Sequence, residues 1–205
     1  MRNTGRDKIL EAFQRNPKEM YLSEIAKQAE ISLERAHTYL KEMTRSGYLT
    51  EEKKGNMSFY KPNFNNELLI KELEFIELKR KQTFMDRNVV VGKLVGRLVE
   101  MLQEKVSGLE GAFLFGSVAR GEHNEKSDID ILVVCKTKKE EQRILEAASK
   151  TGLQYGREVN ASVVDEKEFG QGIEEKTGFY KTLLRDRIIF YGEKWFYTKY
   201  GDKIG

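Results

Sequence analysis

The 205-residue chain has one cysteine, two histidines and no long uncharged apolar run, and each scarcity closes off a class of function. Cys135 cannot form an intrachain disulfide, and its place at the end of an apolar run makes a small buried side chain its expected role. Zinc sites built on CxxC pairs are excluded for want of cysteines, and two histidines do not by themselves make a metal set. The longest apolar stretches, such as Ile129 to Cys135 and Asn88 to Val95, are too short or too interrupted by charge to cross a bilayer. No signal-peptide pattern opens the sequence, so the expectation is a cytoplasmic protein with no membrane partner. A net charge of +3 is only mildly basic, so any argument for nucleic acid must rest on local clustering.

What is present is a polar, soluble composition, 34% charged and 39% hydrophobic, long enough for one large domain or two small ones. Ile9, Leu10 and Phe13 recur at helical spacing between Arg6 and Gln14, ahead of Pro17. Ser23 is placed to cap a second helix over Glu24 to Glu30, and Ser32 a third from Leu33 to Ser46, which Gly47 ends. Tyr48 to Tyr60 then reads as two strands around a Gly55-Asn56 turn. Three short helices and a hairpin resemble a winged helix-turn-helix domain. The resemblance is carried by the connection Ala29 to Ser32, by Arg35, His37, Thr38, Lys41 and Arg45 on the third helix, and by Lys53, Lys54 and Asn56 in the wing. A helix fits the major groove while basic side chains neutralise phosphates, so Arg35, His37, Thr38, Lys41, Arg45, Lys53 and Lys54 are the expected DNA contacts. Glu34, Glu42, Glu51 and Glu52 lie among them and lower the expected affinity.

From Glu67 to Lys105 the apolar pattern is helical, with a break near Arg87-Asn88, and this stripe suits a core or a homodimer interface. After Gly108 the pattern changes. Ala112 to Phe115, Asp128 to Val134 and Arg157 to Val164 read as strands, Lys138 to Lys150 as a helix, and the remainder through Phe179, Leu183, Ile188 and Phe190 as helical. The expected fold is α+β: a winged helix-turn-helix over residues 1–66, a helical connector over 67–107, and a mixed sheet with flanking helices over 108–205.

The segment from Phe115 to Val133 carries the chemistry, because it joins a Gly116-Ser117 turn to two carboxylates, Asp128 and Asp130, at i and i+2. Alternation along a strand puts both carboxylates on one face, about 7 Å apart, where they suit a hard cation such as magnesium together with substrate phosphates. Gly116 lets the backbone approach a phosphate, and Ser117 adds a hydroxyl and an amide to grip it. Arg120 suits either a phosphate or a structural pair with Asp128 or Glu122, and Ser127 either a nucleotide or a loop cap.

The ordered string Gly116-Ser117-Val-Ala-Arg120-Gly121 followed by Ser127-Asp128-Ile-Asp130-Ile-Leu-Val resembles the signature of the DNA polymerase β-like nucleotidyltransferase superfamily, in its minimal (MNT-type) branch. The resemblance implies that Gly116 and Ser117 hold the nucleotide's phosphates, and Arg120 and Ser127 are the further expected nucleotide-binding residues. It also implies that Asp128 and Asp130 bind Mg2+, while a nucleoside monophosphate passes from an NTP, ATP first among them, to an acceptor hydroxyl. Members that catalyse transfer carry a third carboxylate on a later strand. The matching segment here, Arg157 to Val163, offers Glu158 or the neutral amide of Asn160, and Glu158 is the expected third catalytic and metal-binding acid. MNT-type proteins resemble antitoxins that modify a HEPN-type partner, which makes a protein acceptor an expectation. The alternative is a non-catalytic DNA-binding regulator whose nucleotidyltransferase-like domain binds nucleotide or a partner protein.

Overall fold

The computed structural model describes residues 4–122, 124 and 127–204. The chain forms two compact units, one of residues 1–76 with 197–205 and one of residues 77–196. The helical stretch expected as a connector is therefore shared between them.

In the first unit, helix α1 (Gly5–Arg15) opens on a reciprocal capping box between Thr4 and Asp7. A short strand, β1 (Met20–Tyr21), leads straight into α2 (Leu22–Gln28), followed by α3 (Leu33–Arg45). The cap expected at Ser23 is absent: α2 begins two residues earlier, at Leu22, because the pairing of β1 with the hairpin delivers the chain into it, and Tyr21 holds the cap position with no side-chain bond. Ser32 does cap α3, accepting from the Arg35 N–H at 3.3 Å. Ile9, Leu10, Phe13, Ile25, Leu40 and Met43 are buried among these three helices. The wing consists of β2 (Leu49–Lys54) and β3 (Met57–Pro62), turned at Gly55 with φ +62, and the sheet order is β1-β3-β2. Residues 197 onward belong to this unit. The Tyr197 ring stacks on Phe64 at 6.2 Å, and its hydroxyl accepts from Gln14 Nε2 at 3.1 Å.

Helix α4 (Glu67–Arg87) carries the chain into the second unit and gives way at Asn88 to α5 (Val89–Lys105), as the sequence predicts. Then come β4 (Leu109–Phe115), α6 (Gly116–Arg120), β5 (Ile129–Cys135), α7 (Glu141–Gln154), β6 (Val159–Asp165), α8 (Glu166–Glu175), α9 (Gly178–Asp186), β7 (Ile188–Tyr191) and α10 (Glu193–Tyr200). The sheet order is β6-β5-β4-β7, with β5 and β6 parallel and the other pairs antiparallel. One sheet face buries Leu114, Ile129, Ile131 and Val133 with Leu94, Leu98 and Leu102 of α5 and Ile144 and Ala148 of α7. On the other face Phe113 meets Phe169 of α8 and Phe196 of α10, both at 5.6 Å. The helical reading fails at Ile188 to Tyr191, which form the edge strand β7 against β4. A run of four apolar residues buried on both sides has neither a helical nor an alternating period, and Gly192, at φ +89, ends it.

Candidate active site

The two sheet faces decide where the acidic side chains go. Ile129, Ile131 and Val133 face the α5 and α7 layer, so Asp130 looks to the opposite face, with Asp128 just ahead of the strand in the same alternation. Asp130 is half-buried and Asp128 exposed. On the neighbouring strands, Asp130 is paired in register with Phe115 of β4 and with Asn160 of β6. Asn160 thus stands beside Asp130, and its Nδ2 donates to Asp128 Oδ2 at 3.3 Å.

Gly116 lies directly against this pair. Its φ of +76 is in the left-handed region, and a methyl group there would run into Asp130 Oδ2. Glycine is required both by the turn and by the carboxylate. Ser117 follows, half-buried, and Val118, fully buried, anchors the single turn of α6 to the core. That turn is closed at Gly121, φ +74, with the Glu122 N–H donating to the Ser117 carbonyl at 3.0 Å.

The electrostatics follow from this placement. Burial raises the Asp130 carboxyl above its ordinary value; the Asn160 hydrogen bond lowers it, the Asp128 charge raises it, and Arg120 lowers it, leaving a net upward shift. Two carboxylates on one side of the sheet, one of them held upward by burial and by its neighbour, are of the type that could hold a hard divalent cation together with phosphate oxygens. Among the described residues no group of three or more His, Cys, Asp or Glu side chains converges as a metal site. Glu158 is exposed just before β6, and its carbonyl accepts from the Ile129 N–H at 2.9 Å.

Arg120 and Ser127 each have partners within the protein. Arg120 Nε donates to Glu122 Oε2 at 2.7 Å and Arg120 Nη1 to Asp186 Oδ2 at 3.0 Å, while Arg185 Nε reaches Asp186 Oδ1 at 2.6 Å. Asp186 is 7% exposed, and these arginines, Arg185 first, hold its carboxyl below the ordinary range despite its burial. Arg120 therefore ties α6 to α9. Sequence reasoning missed Asp186, and only its separation of 66 residues from Arg120 hid it. Ser127 Oγ accepts from the Asn124 N–H at 3.0 Å, and the Ser127 carbonyl accepts from Arg157 Nη2 at 2.7 Å, so this serine shapes the approach to Asp128. His123, Glu125 and Lys126 of the same motif lie outside the described residues. Cys135 is buried, and its thiol is pushed up to about 11, chiefly by burial and then by Glu140 and Glu110, which makes it unreactive at neutral pH.

In the first unit Arg35, His37, Thr38, Lys41 and Arg45 are all exposed along α3. Thr38 Oγ1 donates back to the Glu34 carbonyl at 3.0 Å. In the wing Lys53 is exposed, whereas Lys54 Nζ sits 2.5 Å from Glu19 Oε2 and 3.8 Å from Glu52 Oε2. Lys54 also lies 5.2 Å above the Phe59 ring. No described helix is long and apolar enough to cross a membrane.

Comparison with known proteins agrees with this division. The family model for the nucleotidyltransferase domain matches residues 95–192, and that for the IclR helix-turn-helix domain matches residues 8–53. A Methanocaldococcus jannaschii protein provisionally named a protein adenylyltransferase is 33% identical over 100 residues, which span 48% of this chain and 96% of that protein. A second one from the same organism, with the same provisional name, is 38% identical over 72 residues, 29% of this chain and 73% of that protein. Among solved structures, a provisionally named nucleotidyltransferase from Sulfolobus solfataricus is 26% identical. It covers 56% of this chain and 86% of its own, with a TM-score of 0.32.

Proposed function

The chain belongs to the nucleotidyltransferase-domain family, and from that premise we propose that it moves a nucleoside monophosphate from an NTP to a hydroxyl on a protein, in a magnesium-dependent reaction. The observation that carries the reading is the contact of Gly116 with the Asp130 carboxylate, which joins the phosphate-holding turn and the acidic pair in one site. ATP as donor and protein as acceptor are supported by the names of the archaeal relatives. The N-terminal helix-turn-helix supports DNA as the place of action.

In this reading the backbone at Gly116 and Ser117, with the Ser117 hydroxyl, holds the NTP phosphates and sets the α-phosphate against the acidic strand face. Asp128 and Asp130 would hold the magnesium ion, which when bound neutralises charge on the attacking and leaving oxygens. The acceptor oxygen forms its bond to the α-phosphorus as the bond to the β-phosphate bridge breaks, and pyrophosphate leaves with the electron pair. The acceptor's proton needs a base. Asn160 has no basic atom at neutral pH, so Glu158, exposed at the same end of β6, takes that role.

A second reading is favoured by one specific observation, the amide of Asn160 in register with Asp130 where a catalytic member carries an acid. It makes the domain a nucleotide-binding regulator without turnover. Labelled ATP with magnesium separates the two. Transfer or pyrophosphate release in the wild type, reduced by about a hundredfold or more in Asp128→Asn with Asp130→Asn, supports the enzyme. Binding without release supports the regulator. Glu158→Gln should then lower turnover and Asn160→Asp raise it, and an Asn160→Asp protein as silent as wild type would remove the third-carboxylate argument.

A further inference from the structure

Phe179, expected only as part of a helix, is tied to the acidic site from two directions. Phe115 immediately precedes Gly116 and is the antiparallel partner of Asp130, so its ring shares the sheet face of that carboxylate. The Phe179 ring meets Phe115 edge-on, with centroids 5.4 Å apart and planes at 87°. Its second aromatic contact, Tyr180, is also edge-on, at 5.2 Å and 90°. Neither contact is a stack, and Phe179 remains 42% exposed. The second tie is ionic. Arg120, at the end of the turn that carries Gly116 and Ser117, bonds to Asp186 at the end of the helix that carries Phe179. The phosphate-holding turn and the aromatic helix are thereby fixed to each other.

We infer that Phe179 is the platform on which the nucleobase of the incoming NTP stacks, with the Arg120–Asp186 pair as the positioning element. The inference rests on the nucleotidyl-transfer reading above and names the part of the site that meets the base. The ring lies on the order of 10 Å from Asp130 by the cross-strand spacing and the aromatic contact, a span that a ribose bridges between an α-phosphate and its base. A single exposed phenylalanine is ordinary on a protein surface. One 42% exposed, with both of its described ring contacts edge-on, beside the half-buried Asp130 and braced to its phosphate turn, offers a face to a flat ligand. Stacking is tolerant of base identity, so the platform supplies affinity for nucleosides in general and weak choice among bases.

Equilibrium binding to the full-length protein in magnesium, with ATP and with inorganic tripolyphosphate as separate probes, tests this. Phe179→Ala should weaken ATP binding by about tenfold or more and leave tripolyphosphate binding unchanged. Phe179→Leu, which preserves apolar packing on Phe115, should weaken ATP in the same way, while Phe179→Trp should retain it. Equal loss for both probes, or no loss for either, overturns the platform. A wild-type protein that binds neither probe fails the nucleotide reading itself and takes the platform with it.

Discussion

In the sheet unit Asp128 and Asp130 share one strand face, and Asp130 is held above its ordinary protonation range by burial and by its neighbour; in the N-terminal unit the wing cation Lys54 is met by both Glu19 and Glu52. The two regions differ in where compensation comes from. A carboxylate pair left short of positive charge costs folding free energy and marks a place where a ligand of opposite sign completes the balance. A surface lysine already paired with two glutamates has little charge left to offer a phosphate. The same chain therefore leaves charge uncompensated at the acidic pair and partly cancels it at Lys54, one of its expected DNA contacts.

The sharpest way to break that comparison is at Gly116, where turn geometry and carboxylate meet. Gly116→Ala places a methyl group against Asp130 Oδ2 in a left-handed backbone. The expected cost is about 2 kcal/mol of stability in urea unfolding, with loss of magnesium-dependent ATP binding. If the substitution leaves both stability and binding unchanged, Gly116 is an ordinary turn and the shared site dissolves.

The next effect is smaller and concerns Asp130 alone. Its folded carboxyl is raised above its unfolded value, so the native state keeps the proton longer than the unfolded chain does. That contribution to stability is present at acid pH and is lost as pH rises from the unfolded value through the folded one. Asp130→Asn removes the loss. Its urea midpoint should exceed that of the wild type at pH 7, and the two should converge near about pH 3. Magnesium added with ATP should stabilise the wild type and leave the variant unmoved.

How much of this was legible in the sequence differs by the range of the interaction involved. The Ser32 cap, the Gly55 turn, the break at Asn88 and the Gly116 to Asp130 string were readable because each is a local rule expressed within a few residues. The edge strand at Ile188 to Tyr191 was not, because a short run buried on both sides carries no period. Arg120 pointed equally to a phosphate or a carboxylate until Asp186 arrived from another helix. Phe179 carried a helical signal and no site signal, since its place beside the site depends on Phe115 across the fold. The parallel register that sets Asn160 beside Asp130 was not legible either, because a sequence with equal claims at Asn160 and Glu158 does not specify it.

The smallest expected effect tests the other half of the comparison, in the helix-turn-helix unit. Lys41 is exposed on α3, while Lys54, equally basic by type, is bound at 2.5 Å to Glu19 and is raised above its ordinary value chiefly by that hydrogen bond. A phosphate contact releases counterions only if the lysine is not already neutralised, so the two should separate in salt titrations on duplex DNA. Lys41→Ala should weaken binding several-fold and reduce the slope of log K against log salt by about 1. Lys54→Ala should change both by less. The double substitution Glu19→Gln with Glu52→Gln releases Lys54 and should tighten binding and steepen the slope. If Lys54→Ala instead costs as much as Lys41→Ala, the glutamates give way when DNA arrives, and the wing is then as fully engaged with phosphate as α3.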